Sequence, residues 1–117
     1  MQAHDFNSIV EAQLQTCTNM LVRKADEYAD DSDRLHNFKE AAALEEGCTP
    51  REALAGMMRK HTVSIYDMCY SKKTYTMAQW DEKITDHLNY LLLLKACVVE
   101  ELVKDGNPVF LTETPDV

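Results

Sequence analysis

The sequence predicts an all-α fold, an antiparallel four-helix bundle, and three observations lead to it. Apolar residues recur at three- and four-residue spacing through four segments, the period of a helix rather than a strand. Only 3 glycines and 3 prolines are present, set mostly at segment edges. Two segments open on a threonine followed three positions later by Glu or Gln, the pattern of a capping box.

The first segment spans residues 5–28, with Val10, Leu14, Cys17, Leu21, Ala25 and Tyr28 on one stripe. Asp30-Asp31-Ser32-Asp33 interrupts it, because short polar side chains that bond their own backbone favour turns and helix starts. The second segment spans 33–46 through Leu35, Phe38, Ala42 and Leu44, and Gly47 stops it. The third has the strongest start signal. Thr49 sits at the cap, Pro50 at the first helical position, where a missing N–H costs nothing, and Glu52 three residues after the cap. It runs to Tyr70 with Leu54, Met57, Met58, His61, Ile65 and Met68 on its apolar side.

After a polar connection, Thr76 and Gln79 open the fourth helix, which continues to Asp105 and ends at Gly106-Asn107-Pro108. From Ile84 it is apolar nearly all round and is expected to be largely buried. Residues 1–107 therefore read as a single all-α domain and 108–117 as a tail. A bundle this small is expected to bury its remaining apolar face against other copies, as a homo-oligomer.

A net charge of −8 disfavours a nucleic-acid backbone as partner, since duplex binding needs a basic stripe. No apolar run approaches the ~20 residues that span a bilayer, so no membrane partner is expected. The N-terminus lacks a basic stretch followed by an apolar run, which argues against a signal peptide. Cys17, Cys48, Cys69 and Cys97 are isolated, without a C-x-x-C pair or zinc-ligand spacing, and three fall in apolar stripes. They read as reduced thiols, which points to a cytoplasmic protein.

The stretch from Trp80 to Tyr90 carries the chemistry. It sets Glu82, Asp86 and Asn89 at i, i+4 and i+7, one helix face. A carboxylate carried into a core is costly unless a cation or a hydrogen-bonding network takes up its charge. Asp86 and a carboxylate from another helix are therefore expected to hold Mg²⁺, a hard cation that takes oxygen ligands, with Asn89 orienting a phosphate or base. The structural alternative pairs Asp86 with Lys60, Arg34 or His61.

Two further polar groups flank this one. Lys24, Glu27, Asp30, Asp31, Asp33, Arg34 and Asn37 span the end of the first helix and the start of the second. Glu27 either pairs with Arg23 and Lys24 on the surface or turns inward as an oxygen ligand. The Asp run lacks the glycine and distal glutamate of a calcium loop. Lys60, Ser64 and Asp67 share one face of the third helix. His61 falls on the apolar side, either as a hydrogen-bonded core residue or as a donor to phosphate.

The runs Lys24 to Ala29, Asp33 to Phe38, Lys60-His61 and Asp86 to Leu94 resemble a group of small phage and prophage proteins. That resemblance covers roughly residues 20–100; more distantly, the layout is similar to the all-α nucleoside triphosphate pyrophosphatases, the MazG-like and dimeric dUTPase superfamily. The resemblance implies a helical oligomer that binds Mg²⁺ through acidic residues of two helices and cleaves a nucleotide to its monophosphate and pyrophosphate. It implies Glu27 and Asp86 as metal ligands, and Glu82 as ligand or general base. Lys24, Arg34, Asn37, Lys60, His61 and Asn89 would contact the nucleotide, and a phage-encoded protein would work in the host cytoplasm.

In the superfamily's E-x-x-D motif the Asp matches Asp86, but Lys83 stands at the Glu position and Glu82 lies one residue earlier. The earlier E-x-x-E motif is met by Glu27 with Asp30 or Asp31. Two other readings compete. Lys83 favours a non-catalytic phage protein that sequesters a nucleotide in the same pocket. The acidic balance favours a protein that covers a basic surface on a host factor, although its acids are interleaved with Lys and Arg.

Overall fold

The computed structural model describes residues 1–23 and 33–107, and these are helical throughout, joined by short turns. Helix α1 covers Ala3–Thr18 and runs directly into a wider π turn at Asn19–Arg23. Helix α2 covers His36–Ala43, α3 Pro50–Tyr70 and α4 Met77–Lys104. The four helices pack against one another, and no strand occurs among the described residues.

Both capping boxes form. The Glu52 N–H donates to Thr49 Oγ1 at 3.2 Å, and Glu52 Oε1 accepts from the Thr49 N–H at 3.1 Å. Thr76 and Gln79 repeat the exchange at 3.2 and 2.9 Å. Each box satisfies N–H groups that the first helical turn leaves without partners. Thr49→Ala is therefore expected to cost about 1 kcal/mol, read as a lower urea midpoint; an unchanged midpoint would contradict it. Gly47 and Gly106 carry φ of +75° and +80°, the left-handed geometry that ends α2's exit turn and α4.

Helix α2 starts later than its pattern suggests. Asp33 Oδ1 accepts from the Leu35 N–H at 2.9 Å and its carbonyl from the His36 N–H at 3.1 Å, so residues 33–35 form a turn leading into the helix. The far end is shorter as well: the helix stops at Ala43, and Ala42 is its last buried residue, with Leu44 88% exposed. The predicted continuation of the first helix beyond Arg23, and the tail, lie outside the described residues.

The core lies where α2, α3 and α4 meet. Leu54, with 0% exposure, packs with Leu35, Phe38 and Cys97, ringed by Met57, Met58, Tyr90, Leu93 and Leu94. Helices α3 and α4 run antiparallel: Arg51 pairs with Glu101 at 3.6 Å, His61 stacks on Tyr90, and Thr62 Oγ1 bonds His87 Nε2 at 3.0 Å. Lys39 bridges Asp33 and Glu100, tying α2 to α4. That ammonium and the Leu35 N–H hold the Asp33 carboxyl below its usual range, and the two carboxylates push Lys39 up. Helix α1 joins through buried Cys17 and through Gln13, whose Nε2 donates to Thr85 Oγ1 at 2.9 Å.

Two sequence expectations need correction. Helix α4 is not largely buried: only Thr85, Asn89 and Cys97 are, whereas Leu91 and Leu92 are each 45% exposed. An all-round apolar helix needs neighbours all round, and α1, α2 and α3 cover only one side of it. Phe6, Ile9, Val10 and Leu14 of α1 are also open to solvent. Among the cysteines, Cys17 and Cys97 are buried, but Cys69 is exposed and belongs to no stripe. Burial, with Glu101 and Glu100 nearby, pushes the Cys97 thiol up, so it stays protonated as a packing group. None of the four cysteines is disulfide-bonded, and no described helix is long and apolar enough to cross a membrane.

Candidate functional site

The first half of α4 carries most of the candidate residues, and its capping box fixes their direction. From Thr76 onward the helical repeat turns Glu82, Asp86 and Asn89 toward the side on which α1 and α3 pack. Asp86 is half-buried rather than sunk in the core, and Glu82 is exposed. A helix flanked on one side only leaves its carboxylates at a groove edge, where water still reaches them. The polar residues that are buried are their neighbours Thr85 and Asn89.

Asn89 is 7% exposed, and its amide is only half satisfied. Its Nδ2 donates to the Met20 sulfur at 3.8 Å, while Oδ1 has no hydrogen-bond partner among the described residues. The thioether can accept but not donate, so the nitrogen belongs on the Met20 side and the oxygen is the atom left over. A buried acceptor without a donor costs about 1–3 kcal/mol, an expense that a ligand or ion at this place would relieve. Met20 belongs to the π turn, a widened turn of a kind that recurs at functional sites.

Two clefts open on either side of Glu82. One, of about 200 Å³, lies between α1 and α4 and is lined by Thr16, Met20, Asp81, Glu82, Thr85 and Asp86. The other, of about 360 Å³, lies between α3 and α4 and includes Ser64, Asp67, Tyr75, Glu82 and Lys83. The first has room for an ion with a few waters or a phosphate. The second reaches the lower end of the range for small-molecule sites. Tyr75 meets Trp80 edge to face, with ring centroids 5.8 Å apart, which orders the aromatic wall at this end.

The remaining candidates are spread out. His61 lies against Tyr90 with ring centroids 4.8 Å apart, a packing contact in the α3–α4 interface. Lys60 is exposed on α3, one turn before Ser64. The Arg34 guanidinium donates to the Leu21 carbonyl of the π turn, bracing the two ends of the segment between them. Asn37 is exposed on α2, which meets α4 near Cys97 and Glu100. Those positions are about 17–21 Å along the helix from Asp86, so Asn37 is not brought to it. Lys24 and Glu27 lie outside the described residues. Among the described residues no three His, Cys, Asp or Glu side chains converge as a ligand set, although Asp81, Glu82 and Asp86 line one cleft.

Sequence reasoning missed the Gln13–Thr85 hydrogen bond, which fixes α1 against this face. The signal was present: Gln13 interrupts an apolar stripe between Val10 and Cys17, and a buried amide there requires a polar partner. In comparisons with known proteins, the chain matches no family model, no curated protein and no solved structure.

Proposed function

We propose that the protein binds a nucleoside triphosphate with Mg²⁺ on the Glu82–Asp86–Asn89 face of α4 and hydrolyses it to monophosphate and pyrophosphate. The observation that supports this reading best is Asn89 Oδ1, a buried acceptor without a donor among the described residues, one turn from a half-buried carboxylate. Asp86 and Glu82 are hard oxygen donors lining one cleft, so they fit such a cation, with Glu27 of the segment after the π turn as third ligand. Mg²⁺ held there would neutralise charge on the phosphate oxygens.

The side chains divide the remaining work. Tyr75 offers a ring face to the base in the α3–α4 cleft, and Lys83 in that cleft offers an ammonium to phosphate. Glu82, common to both clefts, takes the proton of the attacking water. Asn89 accepts from a ligand donor. Lys24, Lys60, His61 and the unspent N–H groups of Arg34 offset phosphate charge. In this reading the helices close as an antiparallel bundle, the open apolar faces meet in a homo-oligomer, and the free thiols suit a reducing cytoplasm.

Incubation of pure protein with Mg²⁺ and a panel of ribo- and deoxyribonucleoside triphosphates tests hydrolysis. Pyrophosphate and monophosphate are expected in equal amounts from at least one of them, and release from none would refute it. A second reading, sequestration without hydrolysis, is favoured by Lys83, an ammonium in the cleft where the resemblance calls for a second carboxylate. Thermal stabilisation by a nucleotide without Mg²⁺ would support that reading.

A further inference from the structure

Helix α4 carries a seven-residue repeat on the side that, among the described residues, α1, α2 and α3 leave largely uncovered. Met77, Ile84, Leu91 and Val98 recur at one position of the repeat, and Asp81, Leu88, Lys95 and Leu102 at the position four residues on. Together they form a seam of alternating four- and three-residue steps, the pattern by which one helix packs lengthwise on another. The neighbours of α4 in the chain lie on its other side. Helix α1 reaches Thr85, the π turn reaches Asn89, α3 reaches His87 and Tyr90, and α2 reaches Glu100. Most of the seam is open: Met77 is 65% exposed and Leu91 45%, while Leu88 and Val98 are half-buried, Asp81 borders the α1–α4 cleft and Lys95 lies beside the turn at Asp33–Leu35.

We infer that this seam pairs with the same seam of a second copy, the two α4 helices lying antiparallel. The occupant and its direction follow from the two charges the seam contains. Asp81 and Lys95 are both exposed, and neither makes an ion pair among the described residues. Parallel pairing would bring each against its own copy, Asp81 on Asp81 and Lys95 on Lys95, two repulsive layers. Antiparallel pairing about an axis between Asn89 and Tyr90 sets Leu88 on the partner's Leu91 and Met77 on the partner's Leu102. Lys95 then faces the partner's Ile84, one layer from the partner's Asp81, within reach of its carboxylate. The symmetric pair forms at the other end, so both charges are neutralised inside an otherwise apolar seam about 38 Å long.

A zero-length carbodiimide cross-link between Lys95 and Asp81 tests the geometry directly in the native protein. Within one α4 these residues are about 21 Å apart, so such a bond can form only between copies. Mass spectrometry is expected to find that linkage in the covalent dimer. Sedimentation should show a dimer whose dissociation constant rises about tenfold or more for Asp81→Lys or Lys95→Asp alone, and recovers when both are combined. Circular dichroism establishes that each variant keeps its helix content. A monomer at every accessible concentration would overturn the inference. So would a dimer indifferent to the reversals, which would move the interface to the open α1 face at Phe6, Ile9 and Leu14. These readouts use no nucleotide, so their failure is distinct from failure of the hydrolase reading.

Discussion

Asp86→Asn is expected to lower Mg²⁺-dependent pyrophosphate release by at least about a hundredfold while leaving the helix content unchanged. The substitution keeps the shape of the side chain and removes its charge. Asp86 is half-buried in a cleft with Glu82 beneath the π turn, and it anchors no ion pair among the described residues. Its loss should therefore be felt by the cation and phosphate and hardly by the fold. Steady-state release measured beside a urea titration separates the two effects. Full activity in the variant would remove Asp86 from the site. Loss of activity together with loss of folding would make it a structural residue.

Leu54→Ala carries the largest expected cost in stability, about 3 kcal/mol or more. Among the described residues Leu54 has the lowest exposure, 0%, and it touches the α2, α3 and α4 contributions to the core at once. Truncation removes apolar surface from the interior and leaves a cavity that Leu35, Phe38 and Cys97 cannot fill without leaving their own contacts. The same change at Leu44, 88% exposed, provides the control and should shift the urea midpoint negligibly. Equal effects at the two positions would show that the core does not lie between α2, α3 and α4.

Helix α3 was legible from the chain almost to the residue, because its start is written in local chemistry: a threonine, a proline and a glutamate within four positions. The stop at Gly47 and the second box at Thr76 were legible for the same reason. The solvent-open face of α4 was not. Periodicity identifies which side chains are apolar but not whether the chain supplies a neighbour for each face, and here it supplies neighbours on one side. The lead-in turn at Asp33 depends on a side chain choosing the Leu35 backbone over the helix, a competition that spacing alone does not resolve.

At the site, the i, i+4, i+7 pattern put Glu82, Asp86 and Asn89 on one face of a helix that forms, while the depth of Asp86 was misjudged. Depth depends on where α1 crosses α4, and that is set by Gln13 meeting Thr85 across 72 positions of sequence. The unpartnered oxygen of Asn89 is a consequence of the same crossing, since it is Met20 that occupies the amide nitrogen. Neither contact has a local signature, although a glutamine inside an apolar stripe is a hint that one exists.

Anomalous diffraction from a crystal soaked in Mn²⁺ addresses the proposed cation site with the fewest intermediate assumptions. A single strong peak about 2.0–2.3 Å from a carboxylate oxygen of Asp86, absent in Asp86→Asn crystals, is the expected result. A map with no peak at that helix face, or with one that persists unchanged in the variant, would contradict it.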